Sequence, residues 1–385
     1  MVDSLLPNQL VFMKNSILLF TLSVALTGGV ISSCTKATEG PATDTSGTTD
    51  LNRKALLTEW ADNLVKPGYQ AFGSKLTALK AQAAAFSAAP TVAGLQSARL
   101  AWREAYLEWQ QVELFEFGPA ADVSLVNHFN IYPTDVAGIR QNIAAGTYNF
   151  ELSTAIAQQG FPALDYLLNG TGADDAAIVQ AYAASANQRR YLTDVVGKMD
   201  QLFTGVQARW NGSYRDTFIG STGTNAGSSL SLAVNAFSRY YEHFLRTGKV
   251  GIPAGVMSGT AAPEKIEAYY HRGALPLQLA VAAHAAVQQV FNGRAGQPSL
   301  KTYLDALGAK DSRTGQSLTQ LINAQFATSA QQLASLGPDL YTTIQTRNAA
   351  AVQAFTEMQK AVRLLKVDMT SAMSVTVTYV DNDGD

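Results

Sequence analysis

The sequence predicts an all-α protein of two helical-bundle domains with one short C-terminal strand. From Leu51 onward, Leu, Ala, Phe and Trp recur at the three- and four-residue spacing of a buried helix face. Gly and Pro stand between these periodic segments, where they end helices. Val and Thr alternate over Met373–Tyr379, which is the period of a strand. Apolar residues make up 47% of the 385 residues and charged residues 15%, which is enough apolar surface for a large core.

The first 33 residues predict a signal peptide, with Met13 as the true start. Lys14 supplies the positive charge that precedes the apolar stretch Ile17–Val30, which has signal-peptide length and is short for a membrane span. The stretch ends in Ile31-Ser32-Ser33-Cys34, a pattern that resembles a bacterial lipobox. We therefore expect cleavage before Cys34 and lipidation of its thiol, although a chance cysteine in a signal peptide is the alternative.

Residues 34–50 predict a flexible tether behind the lipidated cysteine. The segment is rich in Thr, Gly, Ser, Pro and Asp. Because several acyl chains anchor stably where one is marginal, we expect a cell-envelope protein attached to the outer membrane, on its periplasmic or its surface face. Cys34 is the only cysteine, so no disulfide is expected and the fold must depend on packing.

The N-terminal domain is predicted over residues 51–216. Its first helix, Leu51–Ala89, carries an interruption at Pro67-Gly68. The next, Pro90–Phe117, presents one face that includes Trp102 and Glu113, and Gly118-Pro119 ends it. Three further helices are predicted over Asp135–Ala145, Glu151–Gln158 and Asp174–Trp210.

The C-terminal domain is predicted over residues 217–385, after a polar connector near Asn211–Ser229. Apolar periodicity and the positions of Gly and Pro place its helices at Leu230–Thr247, Pro263–Asn292, Pro298–Leu307, Ser312–Leu336 and Pro338–Leu365. The acidic end, Asp381–Asp385, resembles the start of a calcium loop but lacks the later bidentate carboxylate, so a solvated tail is the alternative.

Several common chemistries have no counterpart in the sequence. The four histidines form no H-E-x-x-H pair, a single cysteine excludes a cysteine-based metal site, and no G-x-S-x-G elbow or phosphate-binding glycine loop occurs. The net charge of −2 and the lack of a dense basic cluster argue against nucleic acid as a partner.

Carboxylates near aromatic residues are the remaining candidates for a site. Glu113 and Glu116 are three residues apart and could hold a cation or raise one pKa, or Glu113 could pair with Arg103 or with another helix. Glu267 and His271 lie four apart on a predicted helix, as a chelating pair or as a hydrogen-bonded surface pair.

One segment resembles the signature of the imelysin-like family, G-x-H-x-x-E followed by apolar residues. Here it reads Gly160-Phe161-Pro162-Ala163-Leu164-Asp165-Tyr166-Leu167-Leu168. Pro162 stands where the family has histidine, and Asp165 stands where it has glutamate. Further blocks that resemble the family span most of the chain after Leu51, namely Trp102-Arg103 to Pro119, Tyr132-Pro133-Thr134-Asp135, Lys249 to Pro253, Ile266 to Tyr270, and Val375 to Tyr379.

The resemblance implies two helical domains with a site near the signature and an association with iron uptake. The imelysin-like family also includes a proposed metallopeptidase, so the resemblance raises that activity as well. The candidate ligand or metal-binding residues that it implies here are Asp165, Glu113, Asp135, Arg103 and Glu267. Because Pro162 carries no donor atom, the family's metal-binding histidine has no equivalent at this position.

We therefore expect a non-enzymatic envelope lipoprotein that binds a ligand, with iron or another divalent cation as the possible cofactor. Its expected partners are the membrane and an outer-membrane component of iron uptake. The alternatives are a structural, partner-binding module of an outer-membrane assembly, and a metallopeptidase, which the replacement of the motif histidine disfavours.

Overall fold

Helices form nearly all of the regular structure over residues 45–380, the part of the chain that this computed structural model describes. The predicted signal peptide, Cys34 and the acidic residues 381–385 lie outside the described residues. Over residues 45–380 the helices are each too short or too polar to span a bilayer.

The first helix, α1 (Thr45–Glu59), begins inside the segment predicted as a tether. It passes through a π-helical stretch, Trp60–Val65, into α2 (Lys66–Ala88). Pro67 lies in the first turn of α2, where its missing N–H costs little. The predicted interruption is thus a local change of helix type that leaves the helical path continuous.

Eight further α-helices complete the first half of the chain. Ser185 separates α8 from α9, where one helix was predicted, because its extended backbone ends α8 and its hydroxyl caps α9 by accepting the N–H of Gln188 at 3.1 Å. The helices are α3 (Val92–Trp109), α4 (Pro119–Asp122), α5 (Leu125–Phe129), α6 (Val136–Ala145), α7 (Gly160–Asn169), α8 (Asp175–Ala184), α9 (Ala186–Asn211) and α10 (Tyr214–Gly220), with a 3-10 turn over Ser153–Gln158.

The second half contains six α-helices, a 3-10 turn over Pro263–Lys265 and two π-helical stretches over Tyr240–Gly251 and Leu364–Met369. The α-helices are α11 (Ser229–Arg239), α12 (Leu275–Asn292), α13 (Leu300–Ala306), α14 (Leu318–Ser335), α15 (Leu340–Arg363) and α16 (Thr370–Ala372).

The helix predicted over Pro263–Asn292 is wrong in its first part. Residues 266–274 form turns, and α12 begins only at Leu275. Ala268 and Arg272 have positive φ angles of 52° and 56°, which a right-handed helix does not contain. Glu267 and His271 are therefore not one turn apart on a helix.

The predicted C-terminal strand is also wrong. Within residues 45–380, Met373 and Ser374 form a turn and residues 375–380 belong to no sheet. The side chain of Asn235 in α11 donates to the carbonyl of Thr376 at 3.0 Å and accepts the N–H of Thr378 at 2.8 Å. One side-chain amide thus supplies the pairing that a neighbouring strand would have provided.

The helices pack in two groups. In the first, α2 packs against α3 and α9; in the second, α14 packs against α15, and α12 packs against α14. Contacts of α12 with α3 and of α1 with α13 join the groups. The all-helical fold class is confirmed, and the boundary at residue 216 stays a prediction.

Candidate functional site

Gly160 begins the signature helix at a position that requires glycine. Its φ is +77°, in the left-handed region. A Cβ atom there would lie 2.4 Å from the carbonyl oxygen of Phe129 and 2.7 Å from that of His128. The glycine therefore allows α7 to start directly against the end of α5.

Phe161 fixes α7 to the tryptophan-bearing face of α3. Its ring stacks on Tyr106 at 4.5 Å between centroids, with 3° between the planes. Its carbonyl oxygen accepts the indole N–H of Trp102 at 3.1 Å. The aromatic residues of α3 thus serve as core and as a rigid support for the signature.

Pro162 lines a cavity of about 290 Å³. Its position in the first turn of α7 costs no helical hydrogen bond, because that turn has no intrahelical acceptor for its N–H groups. Tyr132, Tyr269 and Tyr270 contribute the aromatic part of the wall. We call this space the proline cavity.

Asp165 uses its carboxylate to hold the turn at residues 266–274. Its Oδ2 accepts the N–H of Tyr270 at 2.7 Å, and its Oδ1 accepts the N–H of His271 at 2.9 Å. The side chain of Asn169 donates to Oδ1 at 3.1 Å. Burial raises the pKa of Asp165 to about 7, against the lowering effect of these hydrogen bonds.

Glu113 and Glu267, distant in sequence, meet in a buried polar network around Lys249. The ammonium Nζ lies 2.6 Å from Oε1 of Glu267 and 3.5 Å from Oε2 of Glu113. The side-chain amide of Asn130 donates to Glu113 at 2.7 Å and to Glu267 at 2.8 Å. Tyr240 donates its hydroxyl to Glu113 at 3.1 Å. Residues from both halves of the chain are joined in this way.

The single ammonium of this network only partly balances its two carboxylates. Burial disfavours the charge of Lys249, but the two carboxylates outweigh it and raise the pKa of Lys249. Burial raises the pKa of Glu267; Lys249 opposes this effect and the neighbouring Glu113 adds to it. Oε2 of Glu267 is buried and accepts no hydrogen bond from residues 45–380.

The remaining predicted site residues lie elsewhere. Asp135 caps α6 by accepting the N–H of Gly138 at 2.9 Å, and that hydrogen bond, followed by one from Gln158, lowers the pKa of Asp135. Arg103 lines a separate cavity and donates to the side chain of Gln278 at 3.2 Å. Glu113 therefore pairs with another helical segment and not with Arg103.

Sequence reasoning missed Lys249, Asn130 and Tyr240 as members of the network. Lys249 stands between Gly248 and a run of Val, Gly and Ile, and a lone basic residue in such a run is a signal for a buried ion pair. Asn130 and Tyr240 carry no comparable signal, because polar residues of these types are common on helix surfaces.

Comparison with known proteins shows the family of the chain. The imelysin family model (Peptidase M75) matches residues 65–369. The chain belongs to the imelysin family. Among its curated relatives is iron-regulated protein A of Synechococcus elongatus, 27% identical over 172 residues. That match covers 45% of this chain and 44% of the relative, so the chain matches less than half of that protein's length.

Two solved structures share the imelysin fold with this chain. One is an imelysin-like protein from Psychrobacter arcticum 273-4, with a TM-score of 0.67 and 19% identity, covering 86% of this chain and 98% of the other. The second is a candidate iron-regulated protein A precursor from Parabacteroides distasonis ATCC 8503, with a TM-score of 0.67 and 19% identity, covering 83% and 96%.

The donor atoms at the imelysin signature do not fit a resident metal ion. Pro162 has no donor atom, and both oxygens of Asp165 accept backbone N–H groups. The ammonium of Lys249 lies between Glu113 and Glu267, where it would repel a cation. Among residues 45–380 no three His, Cys, Asp or Glu side chains are grouped to hold a metal.

Proposed function

We propose that this protein is a non-enzymatic lipoprotein of the cell envelope that binds a ligand in the proline cavity and takes part in iron uptake. The observation that carries the proposal is the use of Asp165. The signature carboxylate accepts the backbone N–H groups of Tyr270 and His271, and in this way it shapes the wall of a cavity. Such a role suits a binding protein, whose ligand pocket is largely formed in advance.

The link to iron rests on the relatives. Synechococcus elongatus iron-regulated protein A carries that link in its name, as does the precursor from Parabacteroides distasonis. We extend the association to this chain because it belongs to the same family. A ligand that carries iron in bound form suits the site better than a bare cation, because the site offers a cavity and no set of metal-binding side chains.

The test uses a deletion strain complemented with variants of one residue. Glu264 is exposed and lines the proline cavity. Glu264→Trp should fill the cavity and reduce cellular iron content and growth under iron limitation to the level of the deletion strain. Glu264→Gln, the matched control, should restore both. Equal growth and iron content of the deletion strain and the complemented strain under iron limitation would refute the role in iron uptake.

A peptidase activity is the alternative that the family description raises. It would need a metal with an open position and a general base. Since the signature lacks the donors for the metal, we propose that the protein cleaves no peptide. When the purified protein is incubated with unfolded casein, the casein should stay intact both with and without a chelator. Cleavage that the chelator abolishes would overturn this part of the proposal.

The anchor is proposed at Cys34, and the partner is proposed to be an outer-membrane component of iron uptake. An exposed loop supports a partner-binding surface: Ile252, Val256 and Met257 are 37%, 36% and 53% exposed within one short segment. Substitution of Met257 by Ser should reduce cross-linking to such a component while iron-independent growth stays unchanged. Unchanged cross-linking would remove this loop from the interface.

A further inference from the structure

A second cavity, of about 470 Å³, lies behind the turn that Asp165 holds. Tyr270 lines both this cavity and the proline cavity. Its wall contains Arg99 and Arg103, four residues apart on α3, together with His271 and the two acidic residues Asp174 and Asp175. We call it the arginine cavity. Nothing in the family match assigns it a role.

The charge of Arg103 has no carboxylate partner. Its Nη2 donates to the neutral side-chain oxygen of Gln278 at 3.2 Å, and no carboxylate of residues 45–380 forms an ion pair with it. Arg103 is partly exposed, so water solvates its charge in part, and an anion that enters the cavity would supply the missing counter-charge.

Arg99 is held in place by groups that do not block the cavity. Its Nε donates to the carbonyl of Leu168 at 2.9 Å, and its Nη1 pairs with Asp175 at 2.6 Å. Asp174, the other acidic residue of the wall, caps α8 by accepting the N–H of Ala177 at 2.8 Å. Asp175 is thus paired with Arg99, and Asp174 keeps its negative charge at the start of α8, where the helix N-terminus stabilises it. Neither aspartate forms an ion pair with Arg103 among residues 45–380.

His271 is positioned by the signature residue. Asp165 fixes its backbone N–H, and its ring lies 5.5 Å from that of Trp102 between centroids. Partial burial, followed by the positive charges of Arg103 and Arg99, lowers the pKa of His271. A neutral imidazole at this place offers a hydrogen-bond donor, and it gains a proton readily when a negative charge arrives.

We propose that the arginine cavity binds the carboxylate or phosphate group of a small anion, with Arg103 and His271 as its hydrogen-bond donors. Guanidinium groups suit both oxyanions because two N–H groups can meet two oxygens. The proposal does not depend on a ligand in the proline cavity or on iron, since the donors are the side chains of Arg103 and His271.

Proton NMR of the histidine rings tests the proposal on the purified protein, with citrate and inorganic phosphate as separate probes. The chain has four histidines, and His271→Gln identifies the resonance of His271. We expect one of the two probes to raise the pKa of His271 saturably. Arg103→Gln should raise the probe concentration that gives half of this pKa change by about ten- to hundred-fold, because a charge-assisted hydrogen bond is lost. The probe that acts decides between carboxylate and phosphate.

Screening by salt is the effect to separate from binding. Sodium chloride at matched ionic strength also weakens the repulsion between the arginines and His271. Arg209→Gln is the matched control variant, because Arg209 pairs with Asp122 at an exposed position on α9. It should leave the probe effect intact. If chloride reproduces the effect of both probes, or if Arg103→Gln leaves it unchanged, the proposal is wrong.

Discussion

Replacement of Asp165 by Asn tests whether the buried carboxyl at the signature makes the free energy of unfolding depend on pH. The carboxyl is 2% exposed, and burial raises its pKa from an ordinary value of 3.8 to about 7. At 1.36 kcal/mol per pH unit, the difference corresponds to about 4 kcal/mol. Asn has almost the same shape as Asp but does not titrate. It therefore removes the pH-dependent part of the free energy of unfolding while it retains one acceptor oxygen.

The sign follows from proton uptake. Below pH 3.8 the carboxyl is protonated in the folded and the unfolded chain, and its stabilising contribution is fully present. Between 3.8 and about 7 the folded chain keeps a proton that the unfolded chain has lost, so the free energy of unfolding falls as the pH rises. Above about 7 no further change arises from this group.

Urea unfolding at a series of pH values measures the effect. The free energy of unfolding of the natural protein minus that of Asp165→Asn should fall by about 4 kcal/mol between about pH 4 and about pH 8. Asp135→Asn is the control with the opposite sign, because hydrogen bonds lower the pKa of Asp135 and its stabilisation is lost as the pH falls. Parallel pH profiles for the natural protein and Asp165→Asn would refute the reasoning.

Three further variants, one of them with a matched glycine control, test the site and the anchor. Lys249→Met leaves two buried carboxylates without their ammonium and should lower the free energy of unfolding by about 3–5 kcal/mol in urea titrations; a smaller loss would mean that the carboxylates are not ionised. Gly160→Ala should cost more than the about 1–3 kcal/mol of its positive φ, because the added Cβ would also lie 2.4 Å from the carbonyl oxygen of Phe129. Gly197→Ala, in open space on α9, should instead stabilise by about 0.5–1 kcal/mol, and equal thermal melting of the two would contradict the strain assigned to Gly160. Cys34→Ala should move the protein from the membrane fraction to the soluble fraction, and unchanged fractionation would exclude the lipid anchor.

Much of the fold was predictable from local patterns. The Trp102 face of α3 and the cap at Asp135 follow from spacing and from side chains that bond to nearby backbone. The predicted end of that helix at Gly118-Pro119 is wrong, because α3 ends at Trp109 and Gly118 instead precedes α4. Two of the failures share one cause. Asn235 replaces a strand partner for residues 376–378, and Asp165 removes Tyr270 and His271 from a helix. Both are side-chain contacts across more than a hundred residues, and no local pattern records them.

The carboxylates of the site were predictable from the sequence, whereas their partners Lys249, Asn130 and Tyr240 and the arrangement of the site were not. Glu113, Glu267 and Asp165 were candidates in sequence, but Lys249 decides what the first two do and the turn at 266–274 decides what the third does.

The sequence by itself determined the helical architecture and the glycine that opens the signature, because helix periodicity and backbone steric limits act over a few residues. Tertiary structure decided that the signature carboxylate binds backbone and that two glutamates share one ammonium, since burial and charge pairing depend on which distant segments meet.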